Sequence, residues 1–180
     1  AHMVPRAAQR SELGTDSYYG GVVYPRHAAL HPAKYHAGLL RSVLGAGAHV
    51  AAHCPALAIE RGGGGFELTT PRGRIVARDV IVATNGYTGP LVPWLRRRTI
   101  PIGSYIIATE ALPREVMDRL FPTDRIASDT CRVVYYYRAS PDRSRVLFGG
   151  RVSATETDAR VSGPRLHAAM ARIFPELAGT

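Results

Sequence analysis

The chain has 180 residues, 46% of them hydrophobic, a mean hydropathy of −0.08 and a net charge of +9. That balance fits a folded globular chain of one domain or two small ones and excludes a disordered polyelectrolyte, and no stretch approaches the ~20 apolar residues of a membrane helix. The cations do not read as a nucleic-acid surface: all basic residues but Lys34 are arginine, they are scattered, and the one run, Arg96-Arg97-Arg98, reads as a solvated face.

In chain order, Ala1-His2-Met3 reads as a cloning remnant ahead of Val4. Val22–Tyr24 is strand-like, and Pro32 opens a helix whose apolar positions, Tyr35, Leu39, Leu40, Val43 and Leu44, recur at helical spacing until Gly45 and Gly47 end it. Five strands are expected next, at 48–52, 56–60, 66–70, 74–77 and 79–83, with turns at Gly62–Gly65 and Pro71-Arg72-Gly73. The last of these, Ile81-Val82-Ala83, is the run of a strand buried on both faces, and Thr84-Asn85-Gly86 is a small-residue turn at its carboxyl end. Ligands of open α/β sheets bind at such ends.

Beyond Arg98 the texture is strand-rich. A hairpin turning at Pro141-Asp142 joins 133–137 to 146–148, a short helix lies at 113–121, and a helix spans 164–177. The fold class is therefore α/β (α+β mixed). The expected division is 4–97, an α/β portion, and 98–180, a portion built on an antiparallel sheet.

Several chemistries are excluded. The glycines of Gly45-Ala46-Gly47 close a helix and enter a strand, the reverse of a dinucleotide loop. Cys54 and Cys131 form no zinc-ligand spacing and no disulfide framework, and the seven histidines make no helical ligand pair, so no metal site is expected. Ser104, Ser144 and Ser153 have no nucleophile-elbow context. No catalytic residue is assigned.

What remains distinctive is "GGVVYPRHAALHPAKY", "CPALAIE", "VIVATNGYT" and, with "IPIGSYIIATEAL" and "YYYR" before it, "LFGGR". In that order these segments resemble the FAD-dependent oxidoreductases of the D-amino acid oxidase family, most closely the branch around gamma-glutamylputrescine oxidoreductase, from about Gly20 to Pro175. Complete members have an amino-terminal glycine-rich loop and a carboxyl-terminal segment that these residues lack, so the chain resembles the middle of such an enzyme.

The resemblance implies part of an FAD-binding α/β domain joined to a substrate domain. It implies FAD as the parent's cofactor, held weakly or not at all by this chain, and oxidation of the C–N bond of a small-molecule amine or amino acid by hydride transfer. Cofactor contacts fall on Ala56, through its backbone, and on Ala83, Thr84, Asn85 and Gly86, where a plain turn is the competing reading. Substrate contacts fall on Tyr135 and Tyr137, which share a strand face, on Tyr105, and on Arg151 as a carboxylate holder. Core packing competes for the tyrosines and a surface ion pair for Arg151. His27 reads as an exposed loop residue. No nucleic-acid or membrane partner is expected, the expected location is the cytoplasm, and self-association through apolar surface near Ala83 is expected. The alternative from another class is a non-enzymatic small-ligand or partner-binding module.

Overall fold

The computed structural model describes residues 1–151 and 158–180. In chain order the elements are β1 (His2–Pro5), β2 (Gly20–Val23), α1 (Pro32–Gly45), β3 (Ala58–Gly62), β4 (Gly65–Thr70), β5 (Gly73–Ala77), α2 (Pro93–Arg96), β6 (Tyr105–Ala108), α3 (Arg114–Leu120), β7 (Ala127–Ser128), β8 (Tyr135–Ala139), β9 (Val146–Gly150) and α4 (Ala159–Ile173). All strand pairs are antiparallel, in three sheets: β1-β2, β3-β4-β5 and β6-β9-β8-β7. No helix among the described residues is long and apolar enough to cross a membrane.

The chain forms two compact units, one of Ala1–Pro32 with Ile102–Thr180, the other of Ala33–Pro101. The expected division at 97/98 falls near the second break, but residues 4–32 belong with the carboxyl-terminal part. Hydrogen bonds explain why. Gly14 N–H donates to Leu120 O at 2.9 Å, Ser17 Oγ donates to Arg172 O at 3.2 Å, and Thr15 Oγ1 donates to Ile173 O. Gly14 must be glycine here, because a Cβ would lie 2.2 Å from Arg119 O. Residues 2–5, expected to begin with a cloning remnant, form β1 against β2.

The first unit holds the core. Met117, Leu120, Phe121, Tyr137, Val146, Phe148, Leu166, Met170, Phe174 and Leu177 are buried. Its aromatic centre stacks Tyr137 on Phe148 at 5.4 Å between centroids, with Phe174 edge-on to Tyr137 at 5.4 Å. Edge-to-face and offset pairs suit the charge distribution of the rings. The expected final helix begins earlier than Pro164: Asp158 caps it by accepting from Arg160 N–H at 2.7 Å, satisfying one of the first-turn donors.

In the second unit α1, the β3-β4-β5 meander and its turns form as expected. The strands expected at 48–52 and 79–83 do not form, and Ile81 is 90% exposed. A run of this composition takes strand geometry when neighbours pair with its edges, and no described strand pairs with either segment.

Candidate functional site

The four-stranded sheet of the first unit has two unlike faces, and register decides which side chain lies on which. Tyr135 pairs with Gly150 and Gly150 with Tyr105, and Tyr137 pairs with Phe148. Residues directly opposite share a face, so Tyr105, Tyr135, Tyr137, Phe148 and Val146 lie together. That is the helix-covered face: a Cβ on Gly150 would meet Leu166 of α4 at 3.3 Å, and Tyr105 and Tyr135 pack against the core.

Within the expected substrate set, this bears on Tyr137. Tyr137 is 3% exposed and its hydroxyl donates to Tyr18 Oη at 2.8 Å, so neither its ring nor its O–H is available to a ligand. Burial pushes the Tyr18 phenol up to about 12 and Tyr137 higher still, each held neutral by its surroundings. Tyr135 tilts against Phe148 at 5.4 Å, and Tyr105 shares its face. Tyr137 is thus enclosed by the core, while Tyr105 and Tyr135 are half-buried against it. Arg151 follows β9 and is exposed.

The opposite face carries Ile106 and Ala108 on β6, Leu147 and Gly149 on β9, Tyr136 and Arg138 on β8, and Ser128 on β7. Ile106, 62% exposed, is joined in solvent by Ala108 and Ser128, while Tyr136, Arg138 and Leu147 are half-buried and Gly149 is buried. The Tyr136 ring lies down across Gly149, where a Cβ would be 2.2 Å from Cε2, and its hydroxyl is 2.6 Å from Ser104 Oγ. Arg138 donates from Nη1 to Leu30 O at 3.1 Å and from Nε to Ala139 O at 3.0 Å. Tyr136, Ser104 and Arg138 were not singled out from sequence. Alternation separated Tyr136 from its neighbours, but only the positions of α3 and α4 say which parity faces outward. His27, on the loop that carries Leu30, is exposed and stacks on Tyr24 at 4.9 Å.

In the second unit Ala83, Thr84, Asn85 and Gly86 lead into and form a single tight turn. Asn85 takes φ +50°, the left-handed region that Asn tolerates better than most residues. Thr88 Oγ1 donates to Asn85 O at 2.7 Å and lies 2.8 Å from Thr84 Oγ1, so side chains rather than a core set the turn. Ala83, Thr84 and Asn85 are exposed, and nothing lies within 4 Å of the place a Cβ would take on Gly86. Ala56 is half-buried ahead of β3, where Leu57 N–H donates to Thr69 O at 2.8 Å. Small side chains at these positions leave the main chain open to close approach. No group of three or more His, Cys, Asp or Glu suited to a metal ion occurs among the described residues.

The family model described as DAO, FAD dependent oxidoreductase, matches residues 1–180. The chain is 34% identical to a probable oxidoreductase OrdL of Rhizobium meliloti over 93% of its own length and 39% of the relative's. It is 30% identical to the OrdL of Haemophilus influenzae over 93% and 39% of the two lengths. Against the gamma-glutamylputrescine oxidoreductase of Escherichia coli it is 30% identical over 96% and 40%. The chain thus spans about two fifths of the length of the curated relatives it matches.

Proposed function

The chain belongs to the DAO family of FAD-dependent oxidoreductases, and from that premise we propose that the protein oxidises the C–N bond of a small-molecule amine, with the open face of the β6-β9-β8-β7 sheet as the wall that holds it. The observation that carries the reading is the one-sidedness of this sheet. Helices fill one face, while the other presents an aromatic ring, a hydroxyl pair and a guanidinium. A small-molecule site wants that mixture, an apolar surface with a few fixed polar groups. The likeness to a gamma-glutamylputrescine oxidoreductase supports an amine as the substrate.

On this reading the chain's residues bind and orient. Ile106 and the Tyr136 ring give the amine's carbon chain an apolar surface. The Ser104 and Tyr136 oxygens accept its N–H. FAD, when bound, supplies the two-electron acceptor for the hydride leaving the carbon beside nitrogen. The nitrogen loses a proton in the same oxidation, and water hydrolyses the resulting imine outside the redox step. Ala56 and the 83–86 turn are the residues proposed to meet the cofactor's nucleotide, through backbone rather than side chains. Arg151, exposed beyond β9, remains the proposed partner of a substrate carboxylate.

The test is anaerobic mixing of the FAD-loaded full-length protein with a panel of gamma-glutamylputrescine, putrescine and an N-methyl amino acid, read by bleaching of the flavin absorbance. Bleaching by at least one member is expected. A flavin that stays oxidised with all three while a chemical reductant bleaches it would overturn the amine reading.

A further inference from the structure

Resting on the reading of the open face as the substrate wall, we propose that Tyr136 is the residue that orients the amine there, and that Ser104 and Gly149 are its positioning residues. The ring is held from three sides. Below it, a Cβ on Gly149 would fall 2.2 Å from Tyr136 Cε2 and 2.7 Å from Cζ, so any other residue would lift the ring off the sheet. Gly149 lies outside the left-handed region, so its backbone would accept other residues; the nearness of side chains, the ring first, excludes them. Beside the ring, Ile106 Cγ1 would lie 2.9 Å from the same Cβ and closes off the β6 side. At its tip, Ser104 Oγ is 2.6 Å from the hydroxyl.

A ring packed this way keeps one face and one polar edge toward whatever lies on the sheet. The two hydroxyls carry two O–H donors between them, and their mutual bond uses one. The pair therefore keeps one donor and spare lone pairs, and lone pairs are what an amine N–H requires. The strands place one charged side chain on this face, Arg138, and it is already bonded to Leu30 O and Ala139 O. No carboxylate of these strands competes for the amine. This arrangement accommodates the amine of the proposed function, its nitrogen at the hydroxyl pair and its carbon chain along Tyr136 and Ile106.

The experiment uses the FAD-loaded full-length protein and the amine of the panel that reduces its flavin fastest. It measures the amine concentration for half-maximal reduction, the limiting rate and the FAD affinity. Tyr136→Phe and Ser104→Ala should each raise the half-saturating concentration roughly tenfold, the worth of one well-placed hydrogen bond, with FAD affinity unchanged. Ser104→Thr, which keeps the hydroxyl, should restore half-saturation, and Gly149→Ala should lower the limiting rate as well by displacing the ring. Tyr137→Phe, on the covered face, should leave half-saturation as it was. Half-saturation unchanged in Tyr136→Phe and Ser104→Ala, while the flavin still bleaches, would overturn the assignment and leave the amine reading standing. Loss of FAD affinity with unchanged half-saturation would give the face to the cofactor and overturn it equally. If no amine bleaches the unmodified protein, both readings fall together.

Discussion

Phe148, Met117 and Leu166 of the first unit retain no exposure, whereas no residue of 33–101 is buried. On α1 the apolar stripe is intact in sequence but Tyr35, Leu39, Leu40, Val43 and Leu44 remain 37–57% exposed. The second unit is thus ordered by local means: hairpin hydrogen bonds in the β3-β4-β5 meander, and the turn chemistry of Thr70, which donates to Gly73 O at 2.8 Å and accepts from Arg72 N–H at 3.1 Å. A three-stranded meander and a 14-residue helix are near the lower limit of what stands alone in water. Regular secondary structure and a closed core are separate achievements, and this chain shows one unit with both and one with the first only.

The sharpest way to break that comparison is to truncate one apolar side chain in each of the two units. Phe148→Ala should cost about 3–5 kcal/mol, the usual penalty for truncating a buried aromatic residue. Leu40→Ala, at an exposed position, should stay within about 0.5 kcal/mol. Urea midpoints of the two variants decide it, and equal losses would mean that α1's stripe is covered in solution. A step smaller, Tyr18→Phe strands the buried Tyr137 hydroxyl and should cost about 1–3 kcal/mol. The same pair adds an alkaline limb. Because the folded state holds Tyr18 neutral up to about 12 against an ordinary 10.0, its contribution is complete below pH 10 and is lost as pH rises through 12. That limb should flatten in the variant when unfolding is followed against pH. In the second unit the consequence of exposure should appear as association instead. Leu40→Glu with Leu44→Glu should change folding little yet shift the sedimentation of the chain toward monomer, and unaltered sedimentation would place the contact elsewhere.

The same contrast explains what was legible in the sequence. Elements specified by local signals were readable: α1 from Pro32 and its apolar spacing, β4 and β5 from their turns, and the β8-β9 hairpin from Pro141-Asp142. Segments whose structure depends on a partner were not. Residues 79–83 have the composition of a buried strand, and composition cannot supply the neighbours that would pair with it. At the candidate site, alternation correctly grouped Tyr135 with Tyr137 and set Tyr136 apart. Which group faces the helices was invisible, because that is decided by α4, packed through Leu166 against Gly150 some sixteen residues earlier in the chain. The glycine pair Gly149-Gly150 held the missing signal: each sits beneath one tyrosine ring, on opposite faces of the sheet.

The smallest expected effect compares one turn from each unit. In the first unit Asp142 binds the β8-β9 turn together, accepting from Ser140 Oγ at 2.5 Å, from Ser144 N–H at 3.2 Å and, through its other oxygen, from Ser144 Oγ at 2.9 Å. Those donors, the Ser140 hydroxyl first, lower the carboxyl from 3.8 to about 2. A depressed carboxyl stabilises the fold above its unfolded value and ceases to do so as pH falls through its folded one, so the contribution should vanish between about pH 4 and pH 2. The Pro71-Arg72-Gly73 turn of the second unit rests on Thr70, which does not titrate. Asp142→Asn should therefore flatten the acid limb of unfolding in that window and lower stability near pH 7, where the carboxylate's contribution is present, toward the level the unmodified chain shows in acid. Amide exchange followed at the two turns separates them: acid should loosen the first and leave the second as it was, and a limb that stays steep in Asp142→Asn would assign acid sensitivity to another carboxylate, for which Glu12, lowered chiefly by its bond from Arg125, is the next to replace.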